Sequence, residues 1–587
     1  MQIMFGGTMG TLRKISVLAL VLVLMLSVIP LASGAKPVGN LSWLLVSPGA
    51  SGSGGDQDSA RPSISADGRY ITFWSYATDL IDGMVIDTGS DGCGCEGACG
   101  CEGECDCELE ISNVYLYDVA TGETTLVTKG SAGVGCNGAS DSPEISADGS
   151  RIVFRSNATD LIPGEPTTID DNVFLYDVAT QVTTLITPGE LGNGLSGGGV
   201  WGNTINADGS KVAFSTSAND VIPEKTLNSK YNVFYYDDNT GMTTLVTKGA
   251  GGLGGDYDSV IPAISADGTK IAFQSRATDL IPSMTTTHYI NSFLYDAATE
   301  DITLITKGPL GNGCDADGST GIMNASAISA DNTTVVFQSW ATDLFDDAAL
   351  NGNGNIFAYD VATEVITLIT AGPLGVGGSR DSHGPNISAD GSTIGFMSRA
   401  TDLIADVTTT GQQVFTYDVV TGTTSLVTLG SSGIGGNANS NRPSLNADGS
   451  LLTFHSDATD LMDAGATQLR QVFLVHRGIE FNVTFDAQND TKPLVVTVAE
   501  GSPVAQPTDP TKAGYVFAGW WTDPTGGVLW DFSTPITADM TLYAHWTLAV
   551  PPGPDVPATG DSALLLSPII ALGFGWIVLM VESKKRR

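Results

Sequence analysis

The sequence predicts an all-β fold: a seven-bladed β-propeller closed by an N-terminal strand, with a smaller β module behind it. Three observations carry that prediction. A phrase of Ile-Ser (or a close variant), Ala-Asp-Gly or its variant, an alternating strand and Ala-Thr-Asp-Leu or its variant returns seven times, its first Asp at Asp67, Asp148, Asp208, Asp267, Asp331, Asp390 and Asp448. Most copies are about 60 residues apart, and a fixed period on that scale marks a repeat architecture. Each copy holds short strands and turn signals with no helical period, and the last copy lacks a strand that the N-terminus supplies.

Within one repeat, Ile71-Thr72-Phe73 alternates as a half-buried strand does, and so do Ile152-Val153-Phe154 and Ile271-Ala272-Phe273. Ala-Asp-Gly before it supplies a tight turn, with Gly free to take positive φ. A third strand follows, as in Asn113-Val114-Tyr115-Leu116-Tyr117-Asp118, then a Thr-Gly turn and a β-branched fourth strand at Thr124–Thr128. Four antiparallel strands make one propeller blade. The last repeat ends at Gln471-Val472-Phe473-Leu474-Val475 without a fourth strand, and Leu41–Val46 has the missing type. A ring closed by that segment accounts for both facts and removes exposed strand edges. The propeller is placed at 38–478.

The repeat centre, Ser-Ala-Asp-Gly-x-x-Ile-x-Phe, resembles the TolB-like, WD-related β-propeller repeats over about three quarters of the chain. That resemblance implies the fold and leaves function open, because propellers host binding, scaffolding and catalysis alike.

The two ends of the chain read as sorting signals. Arg13 and Lys14 precede an apolar stretch from Ile15 to Leu31 and then Ser33-Gly34-Ala35, so residues 1–35 are expected to be a secretory signal peptide. At the other end a Pro-rich spacer (549–562) contains Val556-Pro557-Ala558-Thr559-Gly560. An apolar segment at 563–581, long enough for one transmembrane helix, and a basic cytoplasmic tail at 582–587 complete it. That order resembles the sortase cell-wall sorting signal of Gram-positive surface proteins. The resemblance implies sortase and peptidoglycan as partners, cleavage between Thr559 and Gly560, and a single-pass membrane form before sorting. Val556 stands where that signal usually has Leu. The net charge of −38 and pI near 4.1 speak against nucleic acid or an anionic membrane surface as a partner.

From Ile479 to Leu548 the pattern changes. Gly514-Tyr515-Val516-Phe517-Ala518-Gly519-Trp520-Trp521, Trp530-Asp531-Phe532 and Leu542-Tyr543-Ala544-His545-Trp546 resemble the Listeria–Bacteroides repeat, related to the B repeat of internalin-type proteins. The resemblance implies a β-grasp-like module serving as stalk or interaction unit. Trp520, Trp530 and Trp546 are expected in its core, since a domain so small needs large aromatic side chains to stabilise it.

Two groups of residues are candidates for chemistry. Cys93, Cys95, Cys99, Cys101, Cys105 and Cys107 crowd an insertion in the first repeat at 84–110, interleaved with acids. Outside the cell, disulfides would tie such a loop; Cys-x-Cys pairs can instead hold a soft metal ion, and spacing does not choose. The second group gathers where the Gly-rich loops between repeats share a face with the Ala-Thr-Asp-Leu turns. It comprises Trp201, Tyr257, Arg380 and His383, with Asp58, Asp258 and Asp381. Asp56, Asp58, Asp256 and Asp258 are also candidate Ca2+ ligands, although loop Asp commonly binds local backbone amides. Gly194-Leu195-Ser196-Gly197-Gly198 matches a nucleophile pattern but lies in a Gly-rich loop with no strand-to-helix turn.

No catalytic residue is assigned, and no cofactor is certain. The expectation is a non-enzymatic, wall-anchored surface protein that recognises an extracellular polysaccharide or protein through the propeller loops. The alternatives are a polysaccharide-degrading enzyme using face carboxylates and metal capture by the Cys-rich insertion.

Overall fold

A computed structural model describes residues 42–549 apart from 82–110, 316–325 and shorter loop stretches. Its contacts divide the chain into two compact units, at Ile479 and Glu480. The signal-like N-terminus, the sorting motif Val556–Gly560, the apolar segment 563–581 and the six clustered cysteines lie outside the described residues. Among the described residues, no helix is long and apolar enough to cross a membrane.

The first unit contains seven four-stranded antiparallel sheets. In the first, β2 (Ser59–Ile64), β3 (Tyr70–Ser75), β4 (Asn113–Asp118) and β5 (Glu123–Leu126) follow in sequence order. The last sheet differs. Its outer strand is β1 (Ser42–Leu45), with Ser42 opposite His476 and Leu45 opposite Phe473. Segments more than 400 positions apart are thereby joined: Ser47 Oγ donates to Gln471 Oε1 at 2.7 Å, and Val46 N to Val472 O at 2.9 Å.

Each sheet packs on the next, and the sequence repeat shows why. The Phe of the second strand stands opposite an aromatic of the third, and the pair stacks: Phe73 on Tyr115 at 5.7 Å, Phe214 on Phe234 at 5.6 Å, Phe454 on Phe473 at 5.7 Å. Cross-strand aromatic pairs of this kind stabilise a sheet, and here they are all buried. The Ala-Asp-Gly turns are fixed by the Asp itself. Asp67 Oδ1 accepts from Ser65 Oγ at 2.6 Å and Arg69 N at 3.0 Å, with Gly68 at φ 75°. The alanines of these turns hydrogen-bond from repeat to repeat: Ala66 N to Ala147 O at 2.8 Å, Ala207 N to Ala266 O at 3.0 Å. Ala447 N, in the last repeat, donates to Ala66 O, in the first, at 3.0 Å. One end of the first unit is therefore lined by the alanines of all seven turns, around a cavity of about 190 Å3.

The innermost strands contain one feature that periodicity does not disclose. Among the described residues, six of these strands carry a β-bulge with a positive-φ residue three positions before the repeat's Ile or Leu. That position is Arg61 (φ 52°), Ser142 (φ 51°), Gly202 (φ 88°), Ile261 (φ 52°), Gly384 (φ 56°) and Arg442 (φ 59°). Bulges re-aim side chains, and Arg61, Ser142, Ile261 and Arg442 line the cavities beside the inner strands.

The second unit is one sheet in the order Leu494–Ala499, Glu480–Asp486, Met540–Leu548, Tyr515–Trp521, with the middle pair parallel. Trp520 is buried against Phe485 at 4.9 Å. Trp530 and Trp546 pack half-buried on the same core, and Trp546 Nε1 donates to Ala487 O at 3.0 Å.

Candidate functional site at the channel mouth

The end opposite the alanine-lined one is formed by the Gly-rich loops and the Ala-Thr-Asp-Leu turns. Its aspartates make a repeated lock between these two segments. Asp79 Oδ1 accepts the Asp56 N–H at 2.9 Å, and Asp56 accepts from Thr78 N at 2.8 Å and Thr78 Oγ1 at 2.6 Å. Asp279, Asp256 and Thr278 repeat the arrangement. The bonds therefore reach across some 22 or 23 positions rather than closing a local turn.

The Asp of the Asp-Ser pairs has a second structural task. Asp58 Oδ1 accepts from Arg470 N at 2.9 Å, Asp258 Oδ1 from Tyr231 N at 3.0 Å and Asp381 Oδ1 from Gly354 N at 2.7 Å. Each ties an inner strand to the third strand of the sheet before it. The reading of Asp56, Asp58, Asp256 and Asp258 as Ca2+ ligands is corrected accordingly, because all four carboxylates are turned to backbone amides. Among the described residues, no group of three or more His, Cys, Asp or Glu side chains could hold a metal ion.

Of the residues expected on this face, Trp201 and Asp258 line one cavity, beside Tyr231 and Arg276. Trp201 is 42 % exposed and meets Tyr231 edge-on at 5.6 Å. Tyr257 is exposed against His288 at 5.0 Å, with Lys230 Nζ 5.8 Å from its ring. His383 lies half-buried further round the ring of sheets, its Nδ1 3.1 Å from Gln338 Nε2, and burial holds its pKa below the ordinary value. Arg380 is exposed. Ser196, in the nucleophile-like Gly-Leu-Ser-Gly-Gly, is held by Asp220 at 2.8 Å in the interlocking loops. Cys136 and Cys314 are buried, their N–H groups donating to Asn113 and Asn291 at 3.2 and 3.1 Å.

What the sequence reading missed is the wall of the channel beside Trp201. A cavity of about 320 Å3 at the mouth is lined by Arg61, Arg155, Arg442, Asp171, Trp201 and Tyr231 among others. A deeper one of about 140 Å3 continues from it past Ser142, Glu144 and Asn203, and Arg61 and Arg442 belong to both. A mostly apolar cavity of about 260 Å3 adjoins on the other side of Trp201 and Tyr231. Arg155 is balanced by Asp141 at 2.5 Å and Asp171 at 3.6 Å. Arg61 donates to Ser142 Oγ, and its own N–H donates to His455 Nδ1 at 3.3 Å. Burial, with Arg61 alongside, pushes the Arg442 pKa down to about 9. Burial pushes Glu144 up to about 7, although Arg442 pulls the other way. His455 is held well below its ordinary pKa by burial and by the surrounding arginines, so it is neutral.

A signal for this wall does exist in the sequence, as departure from the repeat. Three positions before the repeat's Ile or Leu the residues are Arg61, Ser142, Gly202, Ile261, Ala325, Gly384 and Arg442, so the two cations fall in repeats made adjacent by ring closure. Glu144 is the one acid in its own repeat column.

Comparison with known proteins adds to this geometry. Residues 481–545 match the family model of the Listeria-Bacteroides repeat domain. The chain is 38% identical over 104 residues to Internalin H of Listeria monocytogenes, a match spanning 17% of this chain and 18% of that protein. Among solved structures it is similar to an oligogalacturonate lyase from Vibrio parahaemolyticus (12% identity, 76% of this chain and 98% of that one, TM-score 0.43). It is also similar to TolB from Acinetobacter baumannii (16% identity, 62% and 78%, TM-score 0.31). Likeness at this level concerns the fold and carries no chemistry. It does correct one expectation: with a lyase among the similar structures, the assignment of the chain as non-enzymatic is withdrawn. The chain thus joins a unit of seven four-stranded antiparallel sheets to a segment that matches the Listeria-Bacteroides repeat domain.

Proposed function

We propose that this is a cell-surface protein that recognises an extracellular polysaccharide or protein through one face of a seven-bladed propeller. The seven sheets are its blades and β1 its closing strand. Residues 479–548 space that propeller from the surface, and the C-terminal signal is handled by sortase and joined to peptidoglycan. The observation that carries the reading is the asymmetry of the two channel ends. One opens into a cavity of about 190 Å3 lined by alanine, isoleucine, serine and asparagine residues; the other opens into a cavity of about 320 Å3 walled by arginines, Trp201 and Tyr231. Concave sites with aromatic walls and a few placed polar groups are where ligands bind. The partial likeness to Internalin H, with signal-like chain ends, supports an extracellular setting.

A second reading, turnover of the bound glycan, is favoured by Glu144, a carboxyl group in the channel whose pKa of about 7 suits proton transfer near neutrality. One screen separates the two. The purified protein is offered wall, matrix and plant polysaccharides and host proteins, with product analysis. Retention without product supports recognition; shortened glycan shows turnover, to be tested next with Glu144→Gln. Absence of binding to every member of the panel would contradict both.

A further inference from the structure

We propose that the channel mouth binds a neutral sugar ring, its C–H face laid on Trp201 and one of its hydroxyls donated to Asn203. This rests on taking that face as the ligand-binding one. It goes further by naming the chemistry of the ligand.

The charges of the wall are spent within it. Arg155 is paired with Asp141 and Asp171. Arg61 donates to Ser142 Oγ. Arg442 has an interaction partner of its own besides the attraction of Glu144, and Glu144 is hydrogen-bonded by Thr204 and by the backbone of Ile205. The features that call for a ligand are two others, and both are neutral.

The first is Asn203, which is buried and lines the deeper cavity. Its place in five other repeats is taken by Pro62, Pro143, Pro262, Pro385 and Pro443, so the architecture of the inner strand does not call for an amide there. Its Nδ2 donates to Ser142 O at 3.0 Å, which fixes the amide orientation. Its Oδ1 is then an acceptor, and it has no hydrogen-bond partner among the described residues. A buried acceptor of this kind costs free energy until a donor reaches it. A carboxylate or sulfate brings no donor at neutral pH, whereas a sugar hydroxyl does.

The second is Trp201, an indole in a column otherwise held by Ala60, Asp141, Val260, Asn324, His383 and Asn441. Tyr231 meets it edge-on, which leaves a face of the indole uncovered, and the cavities of about 320 and 260 Å3 both reach it. The face of an indole is electron-rich and the C–H groups on one side of a pyranose are slightly positive, so the two pack flat. Trp201 and Asn203 are two positions apart in Val200–Ile205, at most about 7 Å along an extended strand. Gly202 between them lines both the mouth and the deeper cavity. One hexose with its hydroxyls spans that gap.

Saturation-transfer NMR titrations of the purified protein test this with methyl β-D-glucoside, methyl β-D-galactoside, methyl α-D-mannoside and, as a charged counterpart, D-glucuronate. At least one neutral glycoside should bind, with an affinity unchanged by salt because no ion pair is formed. Trp201→Ala should weaken it roughly tenfold and Trp201→Phe less, and both variants keep the fold because Trp201 is exposed. Asn203→Ala should weaken it several-fold, about the worth of one neutral hydrogen bond. Monodeoxy analogues of the bound glycoside then locate the hydroxyl. One of them should bind the parent protein several-fold more weakly, yet bind Asn203→Ala as well as the complete sugar does. A merely structural role of Asn203 would not produce that coupling. No response to any neutral glycoside, tighter binding of glucuronate, affinity indifferent to Trp201→Ala, or deoxy analogues that weaken the parent and Asn203→Ala alike overturns the proposal. A protein ligand held through Trp201, with no glycoside bound, would overturn it too, while leaving surface recognition standing.

Discussion

Trp43→Ala isolates the closing strand. Trp43 sits in β1 and contributes nothing to the first six sheets. It meets Phe454 edge-on at 5.8 Å and Phe473 at 6.4 Å, against the core of the last sheet. Truncating a buried Trp to Ala costs about 3–5 kcal/mol, and half-burial of Trp43 places the loss near about 3 kcal/mol. The sheets run from Ser42 to His476. An unfolding entropy of about 2.1 cal/mol/K per residue over that span gives about 0.9 kcal/mol per kelvin. The expected drop in Tm is therefore about 3 °C. Near-ultraviolet circular dichroism during a thermal melt reads it, with Trp201→Ala, an exposed Trp, as the control expected to stay within about 1 °C. Limited proteolysis at the N-terminal strand should accelerate in the Trp43 variant alone. If Trp43→Ala melts with the parent protein, β1 does not close the ring, and pairing with residues 471–476 is not what holds the ends together.

Two further outcomes follow from the geometry. Asp279 accepts the backbone N–H groups of Asp256 at 2.9 Å and Ala250 at 3.0 Å. Asp279→Ala should release that loop, seen as faster amide hydrogen exchange from Gly249 to Asp256, at a cost of about 1–2 kcal/mol because water replaces part of the lost bonding. Glu144 supplies a pH dependence. Burial raises its carboxyl pKa to about 7, so the fold favours the protonated form. The associated stability is fully present below the ordinary carboxyl pKa of about 4.5 and is lost as pH rises through about 7, an upper bound of about 3 kcal/mol. Tm should fall by up to about 3 °C between pH 5 and pH 8, and Glu144→Gln should remove that fall.

The repeat was legible because each four-stranded sheet obeys one physical rule. Alternating strands, an Asp-Gly turn and a stacked aromatic pair recur with the sequence period, and the segment lacking a partner at each end located the closing strand. The site was harder to read. Trp201, Tyr257, Arg380 and His383 stood out as odd residues, and of these Trp201 lines the cavities at the channel mouth. Periodicity locates strands but not bulges, and a bulge decides whether Arg61 and Arg442 face the channel or the neighbouring sheet. The loop acids were conspicuous for a different reason. Asp58, Asp258 and Asp381 recur because they tie neighbouring sheets together, so their abundance signalled architecture rather than a ligand. Glu144 and Asn203 could have been found only by comparing columns of the repeat and asking which positions break the rule.

The central claim, that ligand enters at the end of the channel walled by Trp201 and the arginines, has a direct measurement. With any ligand retained in the polysaccharide and protein screen, affinity is compared for Trp201→Ala with Tyr231→Phe and for Lys248→Ala, whose side chain pairs with Glu300 on an outer edge at 2.7 Å. The account predicts that Trp201→Ala weakens binding several-fold or more, as removal of an aromatic contact does, and that Lys248→Ala leaves it unchanged. Equal affinity in Trp201→Ala and the parent protein would contradict the placement of the site.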